Sequence, residues 1–159
     1  MKENPRDALL RVDMEAGRLI KDGFLGEDHR PLSDIISQDL DTLAGLQVSH
    51  VELGRAMRRL TRKGMAAIGE TVDAGDYLVK TEEYMGWLGC PFKDARRAAK
   101  RNTLVRDKAT NKEMRWSDLT IHLIEEHAFF QGKGSAFRLE PEALAAFLGL
   151  PGALVPQDE

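Results

Sequence analysis

A single cysteine, Cys90, stands in a chain of 159 residues. One thiol cannot close an internal disulfide, which excludes a secreted disulfide scaffold. The first residues, Met1-Lys2-Glu3-Asn4-Pro5-Arg6-Asp7, have no apolar core and do not form a signal peptide. The longest uncharged stretch, Ala143 to Gln157, is interrupted by Gly149, Pro151 and Gly152. It is too short and too broken to span a bilayer. Internal repeats and low-complexity tracts are also absent, so a soluble, cytoplasmic protein without membrane contact is expected.

The composition supports a packed fold. Hydrophobic residues make up 42% and charged residues 31% of the chain, outside the disordered regime. At this length about 68–70% of the unfolded surface can be buried, so neither a disulfide nor a metal is needed merely to fold.

The net charge of −3 conceals a division. Residues 1–54 carry 6 cations and 11 anions, residues 55–115 carry 15 and 8, and residues 116–159 carry 2 and 7. A basic middle lies between acidic ends. Either the ends neutralise it within the fold, or it meets an anionic partner such as nucleic acid.

Periodicity predicts three helices first. One runs from about Pro5 to Asp22, with Asn4 as cap and Leu9, Val12, Ala16, Leu19 and Ile20 as its apolar stripe. A second runs from Leu32 to about Leu43. A third follows Ser49-His50-Val51-Glu52, a capping-box pattern. Its apolar residues, Leu53, Ala56, Met57 and Leu60 among them, lie opposite Arg55, Arg58, Arg59, Arg62 and Lys63, which share an arc of about 140°. From Thr71 the pattern changes. A strand is expected at Tyr77–Tyr84, a packed Gly/Pro-rich segment at Gly86–Phe92, and a short helix at Lys93–Lys100. A hairpin of Thr103–Val105 and Met114–Trp116 should follow, then a helix capped by Ser117 or Asp118, and a short helix from Pro141. The fold class is α+β: a helical layer over residues 1–70, then a small antiparallel sheet with helices over residues 71–159, packed as one unit.

Two clusters can carry chemistry. Cys90, His122 and His127 offer thiolate and imidazole, the ligands of zinc, with Asp94, His50, a glutamate or water as the fourth. On an ideal helix residues 122 and 127 point about 140° apart, which opposes a shared ion and favours two unrelated histidines. The second cluster is Phe129 to Arg138. Its glycines can turn amides toward an anion, and Lys133, Ser135 and Arg138 can add charge and hydrogen bonds. The plainer alternative is a helix stop, a turn and core phenylalanines.

Several partial resemblances follow. Residues 102–130, a hairpin then a helix bearing His122 and His127, resemble a ββα zinc finger, although the hairpin holds no cysteine pair. This resemblance implies a zinc site. The run His122-Leu123-Ile124-Glu125-Glu126-His127 is similar to the inverzincin motif with one residue inserted, which implies a metal-dependent hydrolase. Leu43 to Leu60 resembles a helix-turn-helix, with Gln47 where the turn glycine is usual, which implies nucleic-acid binding. Ser117 to Pro141 resembles small bacterial proteins of unassigned function and implies no activity.

The leading expectation is a non-catalytic interaction or regulatory protein with one zinc site. The alternatives are nucleic-acid binding through the basic helix and the cations of residues 93–115, and a metal hydrolase. A homodimer through Leu144, Phe147, Leu148, Leu150, Leu154 and Val155 is a further expectation.

Overall fold

The computed structural model describes residues 5–14 and 23–151. It has five helices and a four-stranded antiparallel sheet, the mixed α+β class. Among the described residues no helix is long and apolar enough to cross a membrane.

Helix α1 spans Pro5–Met14. Its expected continuation to Asp22 and its cap Asn4 lie outside the described residues. The buried stripe differs from the expected one: Leu10 and Met14 are inside, whereas Leu9 is 73% exposed. Leu10 and Met14 stand one helical turn apart and pack with Leu32 and Ile35 of helix α2, Leu32–Leu46. That helix ends where Gln47 turns left-handed (φ 59°) and its amide reaches the carbonyls of Ala44 and Leu43.

Helix α3, His50–Met65, opens on the expected capping box. Ser49 Oγ accepts from the Glu52 amide at 3.0 Å, and Glu52 Oε1 accepts from the Ser49 amide at 3.1 Å. Only two residues separate the end of α2 from the Ser49 cap, so the two helices form a tight corner.

The strands are β1 (Val72–Ala74), β2 (Tyr77–Gly89), β3 (Arg97–Asp107) and β4 (Glu113–Ser117), in that spatial order. The pairs Val79↔Val105 and Thr103↔Trp116 place one face of the sheet under α3. Val79, Val105 and Trp116 are buried there with Leu53, Met57 and Leu60. Gly64 allows this approach, because a Cβ at that position would lie 2.7 Å from Thr81 Cγ2 and 2.8 Å from Val79 Cγ1.

The short helix expected at Lys93–Lys100 does not form. Residues 97–100 are strand, and Ala98 and Ala99 pair with Leu88 and Trp87. Strand β2 runs on to Gly89 through an irregularity between Tyr84 and Trp87. Long-range pairing outweighs the weak helical preference of two alanines.

Helix α4, Asp118–His127, is capped by Ser117, whose hydroxyl accepts from the Thr120 amide. It ends at Ala128, again left-handed (φ 50°). Helix α5 spans Pro141–Phe147. Leu144, Phe147 and Leu150 are buried in the chain's own core, and the Tyr77 hydroxyl donates to the Phe147 carbonyl at 2.5 Å. This part of the expected dimer face is therefore covered internally, and Leu154 and Val155 lie outside the described residues.

Candidate metal centre

The β2–β3 loop, residues 90–96, is drawn tight by its own backbone. The Cys90 amide donates to the Arg96 carbonyl at 3.1 Å, and the Lys93 amide donates to the Cys90 carbonyl at 2.9 Å. Lys93 and Ala95 take positive φ (59° and 67°). Asp94 Oδ1 accepts from the Arg96 amide at 3.0 Å. These contacts bring Cys90 and Asp94 together. Phe92 buries its ring and anchors the loop on Phe129, edge to face at 5.4 Å.

Helix α4 supplies the other two residues. His122 Nε2 and His127 Nε2 both donate to Asp94 Oδ2, at 2.8 and 2.7 Å. The Cys90 Sγ lies 3.5 Å from His127 Nε2. The four ligand atoms of Cys90, Asp94, His122 and His127 all lie within 4.8 Å of one another, so the cluster can hold a metal ion. The two histidines are thus not unrelated. Although they leave the helix about 140° apart, the Asp94 carboxylate sits between them, and their rings meet at 5.3 Å and 80°. His127 is the last helical residue and is fixed by Phe92, stacked on it at 4.1 Å and 10°.

The electrostatics suit a ligand set. Partial burial works against the Asp94 carboxylate, but the Arg96 amide and the two histidines outweigh it and hold the group well below the usual range. Burial pushes the Cys90 thiol up to about 11, and the nearby Asp94 adds to the rise. Without a cation at the site this thiol stays protonated, whereas coordination to one would deprotonate it.

Other candidates lie elsewhere. His50 is engaged by α4, its Nδ1 2.9 Å from the Ile124 carbonyl oxygen. On α3, Arg55, Arg62 and Lys63 are exposed, while Arg58 and Arg59 are half-buried. Arg58 forms an ion pair with Glu125 of α4, so an acidic residue of the 116–159 stretch neutralises part of the basic face.

The 129–138 stretch serves the fold. The Lys133 amide donates to Asp28 Oδ2 at 3.1 Å, and the Gly132 amide to the Phe24 carbonyl at 2.8 Å. Ser135 is buried, its hydroxyl 2.6 Å from Gln131 Oε1. Arg138 meets both oxygens of Asp39 at 2.9 Å and also contacts Glu140. The Lys133 amide and the Arg138 guanidinium thus face the chain's own carboxylates, and the Ser135 hydroxyl faces an amide oxygen.

Phe92 was not foreseen as part of the site. Its signal was present in Gly86–Phe92, a segment too apolar for a solvated loop. No family model, no curated protein and no solved structure matches this chain.

Proposed function

We propose that this chain is a non-catalytic interaction or regulatory protein of the cytoplasm, in which one zinc ion pins the β2–β3 loop to α4. The observation that carries this reading is the convergence of the Cys90, Asp94, His122 and His127 ligand atoms within 4.8 Å. Zinc is bound at about 2.0–2.3 Å, so tetrahedral ligands stand roughly 3.3–3.8 Å apart. The contacts of 2.7, 2.8 and 3.5 Å reach that spacing with side-chain shifts of about 1 Å or less. A thiol with two imidazoles disfavours magnesium and calcium, which prefer oxygen. Four protein ligands match the closed pattern of structural zinc sites, and an open water position would match a hydrolase. Metal analysis of protein purified without chelators tests the reading. About one zinc per chain is expected, falling sharply in His127→Ala, and a metal-free wild type would sink it.

Nucleic-acid binding is the second reading, supported by the β2–β3 ribbon. Trp87 is 62% exposed, with the Arg97 guanidinium 5.8 Å from its ring centroid. Cations beside an exposed aromatic suit a single strand. Binding of a labelled oligonucleotide should then weaken steeply with salt and in Arg97→Glu, and salt-insensitive binding would dismiss it.

A further inference from the structure

A cavity of about 210 Å³ opens between the β2–β3 ribbon and the 131–137 segment. Phe24, Leu88, Leu119 and Phe137 give it an apolar lining, and Lys100 and Gln131 are polar groups on its wall. Among the described residues, no Asp or Glu lines it. Arg101, the other cation of the lining, is already neutralised by Glu83 at 3.1 Å and by Asp118.

Lys100 differs from Arg101. It makes no ion pair with any described residue. Its stem lies across the ribbon over Gly86, where a Cβ would stand 3.6 Å from Lys100 Cε. Gly86 takes φ 102°, a conformation that a side chain would strain. Gln131 is 3% exposed and also left-handed, at φ 72°. Its Oε1 accepts from Ser135 and its carbonyl from Arg138. The cavity therefore pairs an apolar lining with the positive charge of Lys100 and the side-chain amide of Gln131.

We propose that this cavity binds a small monocarboxylate with an apolar body, an aromatic ring or a short alkyl chain. The charge is met by Lys100, and an acceptor oxygen by Gln131 Nε2. A dry cavity of roughly 150 Å³ accommodates benzene, so about 210 Å³ suits a ring or chain with a carboxylate attached. This site is separate in its residues from the metal cluster and does not depend on it.

The test is a titration of the isotopically labelled full chain with benzoate, hexanoate and neutral benzamide, read by amide chemical shifts. Benzoate or hexanoate should give saturable shifts at Leu88, Lys100 and Leu119, with a Kd of about 1 mM or tighter. Which of the two binds better distinguishes a ring from a chain, and either supports the proposal. Benzamide should bind about tenfold more weakly than benzoate, and Lys100→Gln should weaken the better carboxylate by about tenfold. Lys100 is exposed, so this variant should keep the native spectrum. Phe137→Ala removes part of the apolar wall and should weaken the better carboxylate and benzamide alike. No saturation by about 10 mM of either carboxylate, equal affinity for benzamide and benzoate, or unchanged binding in Lys100→Gln would overturn the proposal.

Discussion

His127 and Asp94 meet through a 2.7 Å contact between Nε2 and Oδ2, across 33 residues of chain. The same carboxylate oxygen takes His122 at 2.8 Å. Two imidazoles and a thiol gathered on one carboxylate form a site that changes strongly when a cation enters. Zinc at about 100 times its Kd would add about 2.7 kcal/mol of stability. For a chain of this size that raises Tm by roughly 5–10 °C. The rise should disappear in His127→Ala and persist, diminished, in Asp94→Asn. Calorimetry with and without added zinc reads it.

Cobalt(II) reports on the thiol separately. Cobalt bound through Cys90 should show a thiolate-to-metal charge-transfer band in the near ultraviolet. Cys90→Ser should lose that band yet keep weaker binding through Asp94, His122 and His127. Cobalt bound to the wild type without that band would place the metal away from Cys90.

Gly54 should reverse the usual helix rule. In an exposed helix, Gly→Ala stabilises by about 1 kcal/mol. Here a Cβ would fall 2.6 Å from Glu125 Cβ and 3.2 Å from Glu125 Cα. These atoms belong to the frame of α4 and cannot swing aside. Gly54→Ala should therefore destabilise by about 1–3 kcal/mol in urea denaturation. Because α4 carries both histidines, the same variant should also bind zinc more weakly.

Some of this was legible in the sequence. Ser49 and Glu52 announced the start of α3 because a capping box is local, and Ser117 did the same for α4. Cys90, His122 and His127 could be named because the chain has one cysteine and four histidines, whereas Asp94 was one of several choices for the fourth place. Their convergence could not be read, since an angle measured on one helix ignores what lies opposite. The partner that reconciles His122 with His127 comes from a loop closed by positive φ at Lys93 and Ala95, which no local pattern marks. The strand at Ala98–Lys100 was hidden for a related reason. Its conformation is set by Leu88 and Trp87, ten or more residues earlier. Between an outside anion and a purely structural role for residues 129–138 the local pattern could not decide, because Asp28 and Asp39, which meet the Lys133 amide and Arg138, lie some hundred residues away.

Asp28 should make stability depend on pH. The Arg30 guanidinium, opposed by burial and helped by the Lys133 and Arg30 amides, holds its carboxyl well below the usual range. A carboxyl depressed in the folded state contributes its stability above the unfolded pKa of about 4 and loses it as pH falls through the folded value. Asp28→Asn should thus cost about 1–3 kcal/mol at neutral pH. The gap between wild type and variant should narrow as pH drops below about 4. Urea titrations across that range measure it, and a gap that stays constant would assign the loss to packing rather than charge.

Trp116 ties the sheet to α3. Its Nε1 donates to Thr61 Oγ1 at 2.9 Å, and Thr61 Oγ1 lies 2.8 Å from Thr103 Oγ1. All three side chains are buried, between α3 and the sheet. Thr61→Val keeps the shape but leaves the indole N–H without an acceptor, which should cost about 1–3 kcal/mol. Thr103→Val leaves that bond intact and should cost less. The double variant should cost less than the sum of the two, because the Thr61–Thr103 contact is lost only once. Strict additivity in denaturant unfolding would show that the two hydroxyls act independently.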